Sequence, residues 1–211
     1  MSRQYADPCG IARALDRIGE RWALLVVREL MLGPKRFTDL KRGLPTASPN
    51  VLSQRLDELE AEGLIVRREL SAPYGGFAYE LTERGRELEP VLIALARWGS
   101  RAQPVPAGDL SDDALLFALR TTFTGANGKL DIELVLSGVA HHVVVDDGLS
   151  ITRGPSPNAD VRIETDGATL RQLVFRKAPL AAARKRGTAK LSGNLRAAAR
   201  FVKLFSPPRS A

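Results

Sequence analysis

Two amide side chains, Asn50 and Gln54, stand four residues apart in a stretch whose leucines recur at helical spacing. Each amide carries a donor and an acceptor, the pair that matches the edge of adenine in the major groove of DNA. At 100° per residue both side chains lie almost opposite the stripe of Leu52, Leu56 and Leu59. If that stripe is buried, the two amides face outward, and they are candidates for reading bases.

Hydroxyl and cationic side chains around this pair suit phosphate oxygens, which fix the register of a protein on DNA without reading its sequence. The candidates are Lys35, Arg36, Thr46, Ser48, Ser53 and Arg55, with Tyr74 further along the chain. Acidic residues fill the second half of the helix from Asp57 to Glu62, so contact is expected only at its N-terminal turns. Amphipathic helices also occur in modules that never touch DNA, and the residues alone leave that alternative open.

The elements that must position these side chains can be read from periodicity and from stop signals. Helices are predicted over residues 9–19, 22–33, 36–44 and 46–64, and two strands over 64–70 and 77–81 flank a loop that contains Pro and Gly. Ser48 is the expected N-cap of the fourth helix and Gly63 its end. A last helix over 87–98 contains Pro90, which should kink it or shift its start. This order predicts a winged helix-turn-helix domain over residues 1–101.

A stretch with two prolines and a glycine follows, and it predicts a linker over residues 102–110. The remaining residues, 111–211, read as a helix, four strands, two helices, a strand and a last helix. Asp147-Gly148 is the turn expected between two of the strands, and Leu130 to Leu136 alternates cleanly between apolar and polar residues. We therefore predict an α+β fold class: a winged helix-turn-helix domain, then an antiparallel sheet covered on one side by helices.

Composition excludes several classes of protein. The chain has 211 residues, 44% of them hydrophobic, and no apolar run approaches the roughly 20 residues of a membrane span. Without an N-terminal signal-like segment, and with one cysteine, it is expected to be cytoplasmic, with no internal disulfide. Adjacent His141 and His142 would face opposite sides of a strand and cannot chelate one ion together. No metal or other cofactor is expected, and with no catalytic motif we predict that the protein is not an enzyme.

The net charge of +7 is unevenly distributed. Residues 1–101 hold 16 Lys/Arg against 14 Asp/Glu, residues 102–170 hold 4 against 10, and residues 171–211 hold 11 against none. The basic excess therefore does not belong to the predicted DNA-binding half. Arg184, Lys185 and Arg186 could meet anionic membrane or ligand headgroups, add nonspecific DNA affinity, or form a solvated helix face.

Several short segments give the first half a likeness to a known family. They are Asp16-Arg17-Ile18-Gly19 with Trp22, residues 33–37, residues 48–56 and Leu81-Thr82-Glu83-Arg84-Gly85. Over residues 9–99 the chain resembles the HxlR family of bacterial winged-helix regulators. The resemblance implies a DNA-binding transcriptional regulator, which we expect to be a repressor, acting on a partly palindromic double-stranded operator.

The same resemblance implies a homodimer joined through the first and last helices of the domain. The apolar side chains available for that interface are Ile11, Leu15, Leu92, Leu95 and Trp98. It also implies that Cys9, just before the first helix, senses electrophiles or oxidants. Without the resemblance, a lone cysteine is more often an inert buried residue than a sensor.

The second half resembles the sterol-carrier-protein-like lipid-binding domain, on the strength of residues 159–163, 169–173 and 187–193 and of the order of elements. That resemblance implies an apolar cavity for a small hydrophobic ligand. Its expected lining is Phe117, Ile132, Leu134, Leu136, Leu173, Val174, Phe201 and Leu204, although each of these could be ordinary core. The leading hypothesis is a dimeric regulator with an apolar effector, and the alternative is a lipid carrier or scaffold whose helical half only dimerises.

Overall fold

The computed structural model describes residues 5–70, 75–103, 108 and 110–206. The chain divides into two compact units, residues 1–92 and 93–211. Their boundary falls inside the helix Glu89–Gly99 and not in the expected linker over 102–110. The domain bounds read from the sequence therefore remain a prediction.

The first unit begins with four helices: α1 Gly10–Ile18, α2 Ala23–Leu30, α3 Phe37–Gly43 and α4 Pro49–Ala61. The hydroxyl of Ser48 accepts a hydrogen bond from the backbone N–H of Val51, which makes Ser48 the N-cap of α4, as expected. Gly63 follows the helix with φ at +68°, a left-handed conformation that glycine adopts without strain. The sequence signals at both ends of α4 are thus confirmed.

A two-stranded hairpin follows, with β1 over Ile65–Glu69 and β2 over Phe77–Leu81 paired antiparallel. A third segment joins it, because the backbone N–H of Lys35 donates to Tyr79 O over 2.9 Å and that of Tyr79 donates back to Lys35 O over 2.8 Å. Helices α5 Glu83–Arg86 and α6 Glu89–Gly99 come next. Pro90 occupies the first turn of α6, so it shifts the start of that helix, one of the two outcomes expected.

The core of the first unit is built from one face of each helix and from the hairpin. Val26, Leu40, Leu52, Leu56 and Leu59 are fully buried. These side chains hold α2, α3 and α4 together, so the outward face of α4 is fixed by what its inward face buries.

A charged cluster lies within this core. The carboxylate of Glu29, which is fully buried, accepts hydrogen bonds from Lys35 Nζ at 2.6 Å and from Arg28 at 2.7 Å. A side chain at Gly43 would place its Cβ 2.3 Å from Glu29 Oε2, so α3 approaches α2 closely only because glycine stands there. A buried carboxylate needs such partners, since an isolated charge in the interior is strongly unfavourable.

The second unit contains a helix, a meander and a crossover. The elements are α7 Asp112–Thr122, β3 Leu130–Leu136, β4 Val139–Val145, β5 Leu149–Arg153, β6 Val161–Thr165, α8 Gly167–Phe175, α9 Leu180–Lys185, β7 Ala189–Gly193 and α10 Leu195–Phe201. The five strands form one sheet in the order β5-β4-β3-β6-β7. The α+β class is confirmed, and the turn at Asp147-Gly148 joins β4 to β5 as predicted.

The sheet is mixed, which corrects the prediction of an antiparallel one. Strand β6 pairs in parallel with β3, whereas every other pair in the sheet is antiparallel. After β5 the chain crosses the outer face of the sheet, where the Ser156 hydroxyl donates to Asp131 Oδ1 over 2.6 Å and Asp160 N–H donates to Asp131 O over 2.8 Å. The crossing places β6 beside the free edge of β3 and parallel to it. The antiparallel meander therefore contains β3, β4 and β5 and ends at β5.

The alternation read in β3 separates two faces of this sheet. Ile132, Leu134 and Leu136 are fully buried on the inner face. The outer face carries cross-strand charge pairs: Asp131 with His142, Glu133 with Arg162, and Glu164 with Lys190. Such pairs stabilise neighbouring strands only modestly where water reaches them.

The two histidines lie on opposite faces, as predicted. His142 Nε2 lies 3.0 Å from Asp131 on the outer face. Burial raises the pKa of the Asp131 carboxyl, but hydrogen bonds from Ser156 and His142 lower it by more. The net result is a pKa below its usual value. His141 is fully buried on the inner face, and burial lowers the pKa of its imidazole.

Candidate DNA-binding surface

Helices α3 and α4, joined by residues 44–48, form the helix-turn-helix, and the hairpin β1–β2 is the wing. The leucine stripe of α4 is buried, so the opposite face lies open to solvent. Asn50, Ser53 and Gln54 are all exposed on that face. The arrangement inferred from 100° per residue therefore appears in the structure.

The two amides differ in what they already bind. Gln54 Nε2 donates to Glu58 Oε1 over 2.9 Å, one turn further along α4. Asn50 lies in the first turn, one residue after Pro49, and is exposed. Gln54 must exchange its carboxylate partner for a base, whereas Asn50 stands at the end of the helix that usually enters the groove. Asn50 is thus the better placed of the two.

Three hydroxyl-bearing residues among the phosphate candidates, Thr46, Ser48 and Ser53, are exposed around the start of α4. Ser48 also caps the helix, so its hydroxyl already accepts one hydrogen bond. Arg36 is half-buried at the start of α3 and has an interaction partner of its own. Thr46 and Ser53 are the side chains best able to approach a phosphate.

Two cations of the predicted set face inward, which corrects their expected place at the surface. Lys35 is 7% exposed and its ammonium binds Glu29, while its backbone pairs with Tyr79 in the wing. Arg55 is 6% exposed and its guanidinium pairs with Glu58 and with Glu20. Charges already satisfied inside a folded unit are poorly placed to reach a DNA backbone, so neither belongs to the candidate surface.

The wing contributes two cations that the sequence reasoning missed. Arg67 and Arg68 lie in β1 and are exposed. The guanidinium of Arg67 stacks 3.8 Å from the ring centroid of Phe77, and Arg68 Nε lies 2.9 Å from Glu80 Oε2. The adjacent arginines just before the Pro/Gly-containing loop were the feature of the sequence that could have indicated them. Tyr74, the wing residue that was predicted, lies outside the described residues.

Comparison with known proteins assigns the first half to a family. Residues 17–105 match the model of the HxlR-like helix-turn-helix. The chain is 36% identical over 88 residues to the HTH-type transcriptional regulator YvaP of Bacillus subtilis, a match that covers 42% of this chain and 82% of that protein. The chain belongs to the HxlR-like helix-turn-helix family.

Further relatives carry similar names. The HTH-type transcriptional regulator sll1512 of Synechocystis is 38% identical over 107 residues, 47% of this chain and 79% of its own. Among solved structures, the putative HTH-type transcriptional regulator ytcD is 37% identical, with a TM-score of 0.41, over 44% of this chain and 94% of its own. Membership of the HxlR-like family confirms a helix-turn-helix transcriptional regulator, and relatives named as regulators confirm the prediction that the protein is not an enzyme.

The residues expected at a dimer interface differ in exposure. Ile11 and Trp98 are each 72% exposed, and Leu15 and Leu95 are also exposed. Leu92 is buried within its own chain, which corrects its place in that set, since a side chain packed in the core is not available to a partner. Cys9 is exposed immediately before α1.

The residues expected to line a ligand cavity are mostly tightly buried. All are buried except Leu204, which is half-buried. Of the eight, Leu173 borders a cavity of about 240 Å³ in the second unit, whose other lining residues lie in α8, in α9 and in the segments that flank α9. Within the described part of the chain, no helix reaches the length and apolarity of a membrane span, and no group of His, Cys, Asp and Glu could hold a metal ion.

Proposed function

We propose that this HxlR-like protein is a one-component repressor that binds operator DNA as a homodimer and responds to a small ligand bound by its C-terminal domain. One observation carries the DNA-binding part: Asn50, Ser53 and Gln54 project from a helix whose opposite face is the core of the unit. A reading helix held in this way keeps its outward side chains in fixed register.

In this proposal Asn50 reads an adenine, with Gln54 beside it once the bond to Glu58 is exchanged. Thr46, Ser48 and Ser53 contact phosphates at the entry to the groove, and Arg67 of the wing contacts the backbone beside it. The acidic second half of α4 stays out of the groove, because carboxylates repel phosphates.

A footprint on the intergenic DNA next to the gene, made with the full-length protein, tests this function. Asn50→Ala is expected to weaken the footprint by about five- to 150-fold per half-site, the range for loss of one bidentate base contact. The matched control is Asn127→Ala, an exposed amide in the loop between α7 and β3. An absent footprint, or equal effects of the two substitutions, would contradict the assignment.

A second variant separates base contacts from phosphate contacts. Arg67→Gln should weaken binding to specific and unrelated DNA alike, and it should lower the dependence of log K on log salt by about one. Asn50→Ala should leave that salt dependence unchanged. If Arg67→Gln instead changes only the preferred sequence, the wing does not contact the backbone as proposed.

Dimerisation through α1 and α6 is supported by the exposed apolar side chains of Ile11, Leu15, Leu95 and Trp98. Exposed large apolar side chains on a helix are available to a partner chain. Sedimentation velocity should show a dimer for the wild type and a monomer for Trp98→Asp. Val139→Asp, at an apolar residue 41% exposed in β4, is the control and should stay dimeric. A dimer that survives Trp98→Asp would contradict this interface.

The ligand-binding part of the proposal assigns a sterol-carrier-like domain to residues 111–211. It is supported by the five-stranded sheet with its apolar inner face and by the helices that follow the strands. A ligand can regulate only if it binds the DNA-competent and DNA-incompetent states with different affinity. The decisive measurement is therefore operator affinity with and without a ligand that the second unit binds.

A further inference from the structure

The two arginines of β1 differ in what they bind. Arg68 Nε lies 2.9 Å from Glu80 Oε2, so the charge of Arg68 is already paired. The Arg67 guanidinium instead lies over the ring of Phe77, 3.8 Å from the ring centroid. In the part of the chain that the structure describes, no carboxylate forms an ion pair with Arg67. Of the two cations, Arg67 is therefore the one whose charge is available to an outside anion.

The register of the hairpin explains why the ring lies beside Arg67. Arg67 pairs with Tyr79, and Glu69 pairs with Phe77. Since alternate residues of a strand share a face, the side chains of Arg67, Glu69 and Phe77 lie on the same face of the wing. The ring is the diagonal neighbour of Arg67, a position from which aromatic and long side chains can meet. The guanidinium thus stacks on the ring although the Glu69 carboxylate shares its face.

A contact with α4 fixes the other end of the Arg67 side chain. The backbone N–H of Arg67 donates to Glu60 Oε1 over 3.2 Å. The side chain therefore starts at a backbone position tied to α4 and ends on the Phe77 ring. Glu60 and Glu69 are both exposed, and each is a carboxylate with which the guanidinium could pair if the ring were absent.

Stacking and ion pairing differ in what they leave for a phosphate. A carboxylate neutralises a guanidinium and occupies some of its N–H donors. An aromatic face also attracts the cation, but it leaves the donors at the edge of the guanidinium plane free. The Phe77 side chain is 45% exposed, so the stacked pair lies at the surface of the wing, where a DNA backbone can reach it.

We propose that Phe77 is a positioning residue for the contact between the wing and DNA. Its ring holds the Arg67 guanidinium clear of Glu60 and Glu69 and presents it, charged and with free donors, to a phosphate. Phe77 acts through Arg67 and makes no DNA contact of its own. This inference deepens the proposed function and rests on it, because it takes Arg67 to be the wing residue that contacts the backbone.

Binding of the full-length protein to a duplex of unrelated sequence, measured over a range of salt concentrations, tests this role. Phe77→Leu should weaken binding about two- to fivefold, the range for loss of an exposed cation–π contact. It should also lower the dependence of log K on log salt by at least about half of the decrease that Arg67→Gln causes. Phe77→Tyr keeps an aromatic ring and should stay within about twofold of wild type.

Arg68→Gln is the matched control, because it removes the same charge from the same strand. Its guanidinium is already paired with Glu80, so Arg68→Gln should lower the salt dependence less than Arg67→Gln does. An equal decrease in the two variants would overturn the proposal, since stacking on Phe77 would then give Arg67 no advantage.

A double-mutant cycle separates positioning from a direct role of the ring. In the Arg67→Gln background, Phe77→Leu should change neither the affinity nor the salt dependence. An effect of Phe77→Leu that persists in that background would overturn the proposal, because the ring would then act on DNA or on the fold by itself.

The same measurements distinguish this inference from the function on which it rests. A normal decrease in Arg67→Gln together with wild-type behaviour of Phe77→Leu would contradict the positioning role alone and leave the DNA contact of the wing standing. An unchanged salt dependence in Arg67→Gln would contradict that contact itself, and the positioning role with it.

Discussion

Gly85 in α5 offers the sharpest test of how α5 packs against the start of the wing. A Cβ added there would lie 2.1 Å from Leu64 O, closer than real Cβ atoms come to any neighbour. That carbonyl already accepts hydrogen bonds from the backbone N–H of Thr82 at 3.0 Å and from its hydroxyl at 3.2 Å. Gly85→Ala must therefore push the start of the wing away from α5.

The expected loss of stability is the sum of two destabilising contributions and one stabilising one. Forcing a methyl group into a packed site destabilises by about 1–3 kcal/mol. Loss of a hydrogen bond to Leu64 O adds about 1 kcal/mol, while the better helix propensity of alanine returns about the same amount. The expected net loss for the first unit is about 2 kcal/mol.

Denaturant-dependent hydrogen exchange of the Leu56 and Leu59 amides measures the stability of this unit in the full-length protein. The control is Gly10→Ala at the first residue of α1, where an added Cβ meets nothing within 4 Å and should cause no loss. If Gly85→Ala lowers stability by less than about 0.5 kcal/mol, or no more than Gly10→Ala does, the close approach of α5 to the wing does not constrain the fold.

Three further predictions concern single side chains. Because burial lowers the pKa of His141, the unfolded chain binds a proton at this imidazole more readily than the folded chain does. The free energy of unfolding should therefore fall by up to about 1.4 kcal/mol per pH unit below about pH 6.5. Unfolding measured at pH 5 and 7.5 checks this, and His141→Leu should remove the pH dependence. Lys35→Met removes the ammonium that binds the buried Glu29 carboxylate and keeps its ion pair with Arg28, and it should destabilise the first unit by about 3 kcal/mol in urea unfolding. A loss below about 1 kcal/mol would show that the Lys35–Glu29 pair is dispensable. Diamide should release operator DNA from the wild type and not from Cys9→Ala, and equal release would exclude Cys9 as the switch.

Local signals predicted much of the first unit. Ser48, Pro49 and Gly63 mark both ends of α4 because caps depend on residues adjacent in sequence. The outward direction of Asn50 and Gln54 follows from helical periodicity alone. The candidate reading surface could therefore be located before any tertiary contact was known.

The inward position of Lys35 could not be predicted in the same way. Lys35 resembles a surface residue until the positions of Glu29 and Tyr79 are known, and these partners meet it only in the folded chain. Arg55 differs, because at 100° per residue it lies beside the stripe of Leu52, Leu56 and Leu59, so helical periodicity already indicated its inward position.

The parallel pairing of β6 depends on the path of residues 154–160 across the sheet, which periodicity does not encode. A ligand cavity is harder still, because residues such as Leu134 that fill a core and residues that line a hollow have the same composition.

The reciprocal backbone bonds between Lys35 and Tyr79 tie the turn before α3 to the hairpin of the wing. Helix α4, which is proposed to read bases, and the wing, which is proposed to contact the phosphate backbone, consequently move together. In the proposed dimer, an effector would therefore act on the distance or angle between two intact DNA-binding domains and not on single contact residues. Induction should then alter the spacing of half-sites that the dimer accepts and leave each half-site's preferred sequence unchanged.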